Sequence, residues 1–110
     1  MKSAKRYKIV IFVPESHGDK MREAIGSAGA GIIGDYTHCT FTMKGTTRFR
    51  PLPSANPSTG EPGKLEAVAE ERIETVCTAD RLEAVLEAIK SAHPYEEPAP
   101  DVYPIEVVKS

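Results

Sequence analysis

The chain has 110 residues, a formal net charge of -2 and 40% hydrophobic residues. That composition is typical of one compact folded domain and excludes the disordered class, which has fewer apolar residues and less balanced charge. The near balance of 14 basic and 16 acidic residues argues against a protein built around a nucleic-acid backbone. No apolar run approaches the roughly 18 residues of a membrane span. We therefore expect a single domain over residues 1–110 in the cytoplasm, with neither nucleic acid nor membrane as a partner.

The first predicted element is a strand over residues 7–13, which is rich in β-branched and aromatic residues and ends at Pro14. Its almost unbroken apolar character predicts burial on both faces of a sheet. We expect residues 1–6 to be frayed. A helix should follow over residues 15–28, because apolar side chains recur there at helical spacing, and Gly29 can close it in the left-handed region.

A second strand is predicted over residues 36–43, where strand-forming residues alternate. On such a strand His38 and Cys39 point to opposite faces, which disfavours a metal site made from both. The next segment, residues 45–64, is rich in proline and glycine and predicts a long loop. Loops of that length are uncommon in small domains and are usually mobile or functional.

The second half of the chain predicts a strand, a helix and a strand. Strand-forming residues cover 67–76, and a clear apolar stripe at helical spacing follows them. Asp80 and Glu83 have the spacing of a capping box at the start of this helix. The last strand is expected over residues 102–108, and Pro104 places it at a sheet edge because proline lacks a backbone donor.

The resulting order β-α-β-β-α-β predicts an α+β fold of the ferredoxin-like type. Right-handed crossovers place both helices on one face of a four-stranded antiparallel sheet, with the first and third strands in the centre. The other face would then expose the first strand, either through Ile9, Ile11 and Val13 or through the alternate residues. Exposed apolar surface is costly at about 25 cal/mol per Å². We expect sister subunits to bury this face, while the alternative is that the long loop covers it.

Residues that can carry chemistry concentrate between the second helix and the last strand. Pro94 and Pro98 stiffen this segment, which presents His93 and two carboxylates, Glu96 and Glu97. An imidazole with adjacent carboxylates is a candidate metal site, which His38 from the second strand could complete. The alternative is structural: His93 closes the helix and the tyrosine after Pro94 packs on the sheet.

The long loop offers a second candidate site. Arg48 and Arg50, with nearby hydroxyls and glycines, could hold an anionic ligand, although a solvated hairpin connection explains them equally. No phosphate-binding loop, dinucleotide fingerprint or nucleophile signature is present, so we assign no catalytic residue. A third interpretation is that the edge strand over residues 36–43 adds to the sheet of a partner protein.

Six segments carry a family resemblance: Val13-Pro14-Glu15, residues 29–41, Phe49-Arg50-Pro51, Ala55-Asn56-Pro57, Arg72-Ile73-Glu74 and residues 93–98. In this order they resemble the insertion domain of the Nif-three-like family (NGG-one-interacting factor three), also called GTP cyclohydrolase I type 2 homologues. Residues 93–96 are also similar to the stretch before the last strand of CutA, the divalent-cation tolerance protein. The resemblance implies a CutA/PII-like fold and favours a homotrimer, with a dimer as the alternative.

The resemblance implies a binding or regulatory module without catalysis of its own. Full-length members of the family hold a dinuclear metal centre whose ligands lie in flanking domains, and we expect this chain to lack them. The expected partner is a small ligand or a divalent metal ion at subunit clefts. By this likeness the ligand site includes Arg48, Arg50 and Tyr95, and the metal site includes His38, His93, Glu96 and Glu97. The alternative is a metal-dependent hydrolase that uses His38, His93 and either of the two glutamates.

Overall fold

The computed structural model describes residues 3–108, with the side chains of residues 3, 4 and 107 excepted, and it has the predicted element order. The elements are β1 (Ser3–Pro14), a 3-10 turn (Glu15–His17), α1 (Gly18–Ser27), β2 (Phe41–Phe49), β3 (Glu66–Thr78), a 3-10 turn (Ala79–Arg81), α2 (Leu82–Ala92) and β4 (Asp101–Val108). β1 already pairs from Ser3, so residues 3–6 are strand rather than the expected frayed terminus. Residues 1 and 2 lie outside the described residues.

The four strands form one antiparallel sheet in the order β2-β3-β1-β4. β1 and β3 are therefore central, as predicted, and β4 with Pro104 is an edge strand. The ferredoxin-like α+β fold is confirmed. In the central pair Ile11 lies opposite Ile73, and Phe12 lies opposite Arg72. Since paired residues of an antiparallel sheet share a face, this register sorts the side chains of all four strands into two sets.

One set of side chains forms the hydrophobic core beneath the two helices. The predicted stripes of both helices pack here, and the core residues are Ile9, Ile11, Val13, Met21, Ile25, Ala30, Ile73, Cys77, Val85, Ile89 and Ala92. Full burial of each valine, isoleucine or methionine side chain in this set stabilises the fold by about 1.5–3 kcal/mol. The helices thus cover the Ile9, Ile11 and Val13 side of β1.

The other set forms a face of the sheet that no described helix covers, which we call the open face. β1 contributes Lys8, Val10 and Phe12 to it, which are the alternate residues of the sequence expectation. Four large apolar side chains of this face are exposed: Phe12, Phe41, Met43 and Tyr103. Charged residues are mixed among them, and an ion pair joins Arg72 to Glu74 at 3.0 Å. The open face is thus partly apolar and partly charged.

β2 begins later than the sequence pattern predicts. The predicted strand covered residues 36–43 and the predicted loop began at Gly45, whereas β2 runs from Phe41 to Phe49. Residues 28–40 form turns instead, because Gly31 has a φ of +80° and His38 a φ of 59°. The amide of Cys39 donates to the carbonyl of Gly31, which folds this segment back on itself. The argument that His38 and Cys39 point to opposite faces of a strand therefore does not apply.

The helix starts also differ from the sequence signals. Both helices are preceded by a 3-10 turn, and neither has a side-chain cap. The predicted capping box is wrong, since the Asp80 carboxylate instead accepts a hydrogen bond from the Thr78 hydroxyl, which lowers the pKa of Asp80. Gly29 follows α1 with a φ of +109°, as predicted. Neither described helix has the length and apolar character needed to cross a bilayer.

Candidate functional site

A cavity of about 450 Å³ lies on the open face near the end of β1. Residues of β2 and β3 line it, together with residues between 50 and 59 of the following loop and the segment over residues 95–99. Three aromatic rings line it, from Phe12, Phe49 and Tyr95, together with several prolines. Its volume and largely apolar lining are typical of a small-molecule site.

His93 fixes the segment that closes this cavity. α2 ends at Ala92, and the His93 amide still donates to the carbonyl of Ile89. The His93 ring is buried, and its Nδ1 accepts a hydrogen bond from the Tyr95 amide at 3.1 Å. Nε2 must then carry the proton, and it donates to the backbone carbonyl of Phe12 at 2.7 Å. The imidazole thus joins the helix end to β1 and directs Tyr95 onto the open face.

Tyr95 contacts a buried carboxylate. Its hydroxyl donates a hydrogen bond to Oε2 of Glu70 at 2.5 Å, and its ring lies 6.2 Å from that of Phe49. Burial, followed by the hydrogen bond to Glu70 and the charge of Glu70, raises the pKa of Tyr95 well above its usual value. Tyr95 is therefore a neutral hydrogen-bond donor across the physiological pH range.

Glu70 has one oxygen that is not paired within the described part of the chain. Its side chain is only 2% exposed and lines the cavity, yet Oε1 has no hydrogen-bond partner there. Two other buried polar atoms share this condition, Nε of Arg6 and Nε of Arg72. All three residues lie on the open face. Arg72 is paired with Phe12 in the neighbouring strand, Glu70 is two residues from Arg72 in β3, and Arg6 is six residues from Phe12 in β1, so their side chains point to the same side of the sheet. Unpaired buried polar groups are rare and costly, so their concentration on one face calls for an explanation.

A second, smaller cavity of about 230 Å³ adjoins the first. Phe12, Thr47 and Glu70 line both cavities and form the wall between them. Met43 and Arg72 line only the second one, and the guanidinium carbon of Arg72 lies 5.8 Å from the centre of the Phe12 ring.

The structure brings four of the predicted site residues to the main cavity. Arg50, Tyr95, Glu96 and Glu97 all line it. Arg48 does not: it pairs with Ala67 on the opposite face of the hairpin and is exposed.

The predicted metal ligands do not come together within one chain. His38 lies against Gly26 on α1, where its Nε2 is 3.8 Å from a carboxylate oxygen of Glu23. Both nitrogens of His93 are engaged with the backbone, and Oε1 of Glu96 accepts the amide of Asn56 at 3.2 Å. Among the described residues no group of three His, Cys, Asp or Glu side chains is placed to hold a metal ion. A metal site shared between chains stays a prediction.

Sequence reasoning missed Glu70, the residue with the most unusual environment at this site. Glu70 and Glu71 stand next to each other in a strand, where alternation sends them to opposite faces. Both are nonetheless buried. Glu71 is paired with Arg22 at 2.7 Å under the helices, while Glu70 is covered by the returning segment with Tyr95. Two adjacent carboxylates in an otherwise strand-like pattern were the available signal.

No family model matches the chain. A relative from Halalkalibacterium halodurans, named GTP cyclohydrolase 1 type 2 homolog, is 52% identical over 99 residues, which cover 90% of this chain and 27% of the relative. A solved Bacillus cereus protein related to NIF3 is 46% identical with a TM-score of 0.79, over 96% of this chain and 27% of that one. The chain thus spans about a quarter of the length of these relatives.

A second solved structure agrees in fold only. The periplasmic divalent cation tolerance protein CutA from Archaeoglobus fulgidus superposes with a TM-score of 0.60 at 15% identity, over 96% of this chain and 86% of that one. At this identity the likeness shows a CutA-like arrangement of strands and helices.

Proposed function

We propose, from the homology of this chain to one segment of the NIF3-related proteins, that it is a ligand-binding module without catalysis of its own. The module assembles into homo-oligomers through the open face, and its ligand occupies the main cavity at the edge of that interface. A trimer is the expected assembly, as the resemblance to CutA-like proteins implies, and a dimer is the alternative.

The buried carboxylate of Glu70, with one oxygen unpaired among the described residues, is the observation that supports a ligand-binding role. Burying a carboxylate is expensive unless its oxygens are hydrogen-bonded, and a fold tolerates such an arrangement most readily where it serves a function. One Glu70 oxygen is satisfied by Tyr95 and the other is not satisfied by any described residue. The unsatisfied oxygen belongs to a side chain that lines an apolar cavity of ligand size. A ligand that donates a hydrogen bond there would remove the energetic penalty.

The composition of the cavity supports a role without catalysis. In the part of the chain that the structure describes, no histidine or cysteine lines the cavity, and both nitrogens of the nearby His93 are hydrogen-bonded to the backbone. Nucleophilic catalysis needs a nucleophile within reach of a free base. A hydrolase that uses His38, His93 and Glu96 or Glu97 has no supporting contact within the described chain.

Two observations support assembly through the open face. Its exposed large apolar side chains would be covered by neighbouring copies, which is favourable at about 25 cal/mol per Å². The unpaired and buried nitrogens of Arg6 and Arg72 lie on the same face, where a side-chain shift on assembly would bring them to acceptors of a neighbour. Protein interfaces likewise combine apolar contacts with hydrogen bonds between polar groups of the two partners.

Light scattering coupled to size exclusion tests the assembly. We expect a mass close to three times the 12.0 kDa of one chain. Phe41→Asp places a charge on the open face, where Phe41 is 61% exposed, and should shift the mass towards one chain. Leu52→Asp is the matched control, because Leu52 is 67% exposed in the loop and should leave the mass unchanged. A native chain that elutes as a monomer would contradict the proposed assembly.

Nuclear magnetic resonance with a mixture of small fragments tests the ligand site. We expect at least one fragment to shift the amide signals of cavity residues such as Tyr95 and Ala99. Metal content of the untagged protein tests the alternative. Stoichiometric metal that is lost in His93→Ala would contradict the ligand assignment, because it would give His93 the role of a metal ligand.

A further inference from the structure

We propose that the main cavity takes an organic cation, namely a protonated amine on an apolar body, which donates a hydrogen bond to Glu70. This inference rests on the proposed function, since it adds the chemical class of the ligand to the cavity already assigned.

The Glu70 carboxylate can still accept a hydrogen bond. Oε2 receives the Tyr95 hydroxyl, and Oε1 receives nothing from the described residues. An ionised carboxylate offers acceptors alone, so the missing partner must be a donor. A charged N–H donor forms a shorter and stronger hydrogen bond with a carboxylate than a neutral one does, and it also compensates the buried charge.

The charged residues that line the cavity are mostly acidic. Among the described residues, three glutamates line the cavity, the buried Glu70 and the exposed Glu96 and Glu97, against one arginine, the exposed Arg50. This excess of negative charge favours a cation and opposes an anion. The arginine that would have supported an anionic ligand, Arg48, lies on the opposite face of the hairpin.

The aromatic rings of the cavity indicate that the ligand has an apolar part. The rings of Phe12, Phe49 and Tyr95 line the same cavity as Glu70. Aromatic faces attract cations and pack against alkyl or aryl groups. A bare ammonium or metal ion would leave these rings without contacts, and the described residues supply no group of three ligands for a metal. The lining therefore fits an amine that carries an aromatic or branched aliphatic group.

Access to Oε1 requires a small movement of the carboxylate. Oε1 is itself buried, whereas the Glu70 side chain reaches the cavity wall. The terminal torsion of a glutamate is broad and roughly two-fold. A half-turn only exchanges the two oxygens, so access needs a partial rotation within this broad range, which moves Oε1 towards the cavity while Oε2 keeps the Tyr95 hydroxyl.

The test compares three probes of similar shape: 2-phenylethylammonium, the neutral 2-phenylethanol and the anionic phenylacetate. Each is titrated into the native chain while the amide signals of cavity residues are followed by nuclear magnetic resonance. We expect the ammonium probe to bind about tenfold more tightly than the alcohol, which is the size of effect that a charged hydrogen bond gives. The carboxylate should bind most weakly.

Two variants locate the effect. In Glu70→Gln the preference for the ammonium over the alcohol should fall to about twofold or less, while the alcohol still binds and so reports an intact cavity. Glu87→Gln changes an exposed glutamate on α2 and should keep the full preference. The comparison of the three probes on the native chain needs no variant and decides the matter even if Glu70→Gln does not fold.

The outcomes separate the two proposals. Equal affinity for the ammonium and the alcohol would overturn the cation assignment but leave a ligand-binding cavity. A preference that survives in Glu70→Gln would also overturn it. If no probe shifts the cavity signals, the cation assignment is wrong. If intermolecular contacts also place a side chain of a second copy beside Glu70, the ligand-binding role is wrong as well.

Discussion

The Tyr95→Phe substitution removes the hydroxyl that donates to Oε2 of Glu70 at 2.5 Å. The phenylalanine ring keeps the shape of the tyrosine, so the packing against Phe49 should persist. Both oxygens of a carboxylate that is only 2% exposed would then lack a partner within the described chain. We expect this loss to lower the free energy of unfolding much more than the removal of an exposed hydroxyl would.

The magnitude follows from the charge of the acceptor. A hydrogen bond to a charged group contributes about 1.5–3 kcal/mol, and leaving its buried partner unsatisfied exposes the full desolvation cost. Glu70→Gln removes the charge but keeps an oxygen that can accept the Tyr95 hydroxyl, and its new amide replaces the unpaired oxygen. We expect this variant to change stability by less than about 1 kcal/mol. In the Glu70→Gln background, Tyr95→Phe should then cost about 1 kcal/mol less than in the native chain.

Urea denaturation of the four proteins, at one fixed protein concentration, gives the coupling energy from the double-mutant cycle. The concentration must be fixed because assembly contributes to apparent stability. Tyr36→Phe, in the turn segment that precedes β2, is the control for loss of an exposed hydroxyl; Tyr36 is 74% exposed, and the variant should change stability by less than about 0.5 kcal/mol. If Tyr95→Phe costs no more than this control, or if the cycle shows no coupling, then Tyr95 and Glu70 do not form the buried pair described here.

Three further outcomes are expected. Because its pKa is raised, Tyr95 should ionise only above the pH at which a tyrosine in an unfolded chain does. The folded state should therefore lose stability above about pH 10 and up towards that raised pKa, which tyrosinate absorbance of the native chain and of Tyr95→Phe measures. Gly18→Ala should destabilise the protein by about 1–3 kcal/mol, because the new Cβ would lie 2.0 Å from Oε1 of Glu71, and moving that oxygen would break its ion pair with Arg22. Gly45→Ala meets no atom within 4 Å and should unfold like the native chain in urea. The thiol of Cys77 should resist alkylation until the protein unfolds, because it is 3% exposed and burial raises its pKa, so equally fast labelling of both cysteines would contradict this placement.

The fold was largely predictable because the core residues recur at the spacings that are typical of strands and helices. The apolar run of β1 and the stripe of α2 each predict one element, and their order leaves few topologies with right-handed crossovers. The position of β2 was not predictable in the same way. Residues 36–40 alternate like a strand, yet the chain turns there because Gly31 packs so closely on Cys39 that a Cβ would lie 2.6 Å from its backbone. Only the folded chain shows that contact.

The candidate site was predictable in part for a similar reason. The prolines around Tyr95 marked a stiff segment rich in polar groups, and that segment does line the cavity. Its partner Glu70 lies 25 residues away in a strand, where a glutamate usually indicates a solvent-facing position. The burial of Glu70 depends on His93, whose ring holds the segment against the carbonyl of Phe12. Such a contact between distant segments leaves no local pattern.

The wall that separates the two cavities has a consequence for how molecules that enter them affect each other. Because the Glu70 side chain borders both spaces, an occupant that turns the carboxylate towards one of them withdraws it from the other. Occupancy of the larger space then alters affinity in the smaller one, and thermodynamic reciprocity requires the reverse effect to be equal. A molecule bound in one cavity would consequently change the measured affinity of a second molecule for the other cavity, although the two molecules do not occupy the same space.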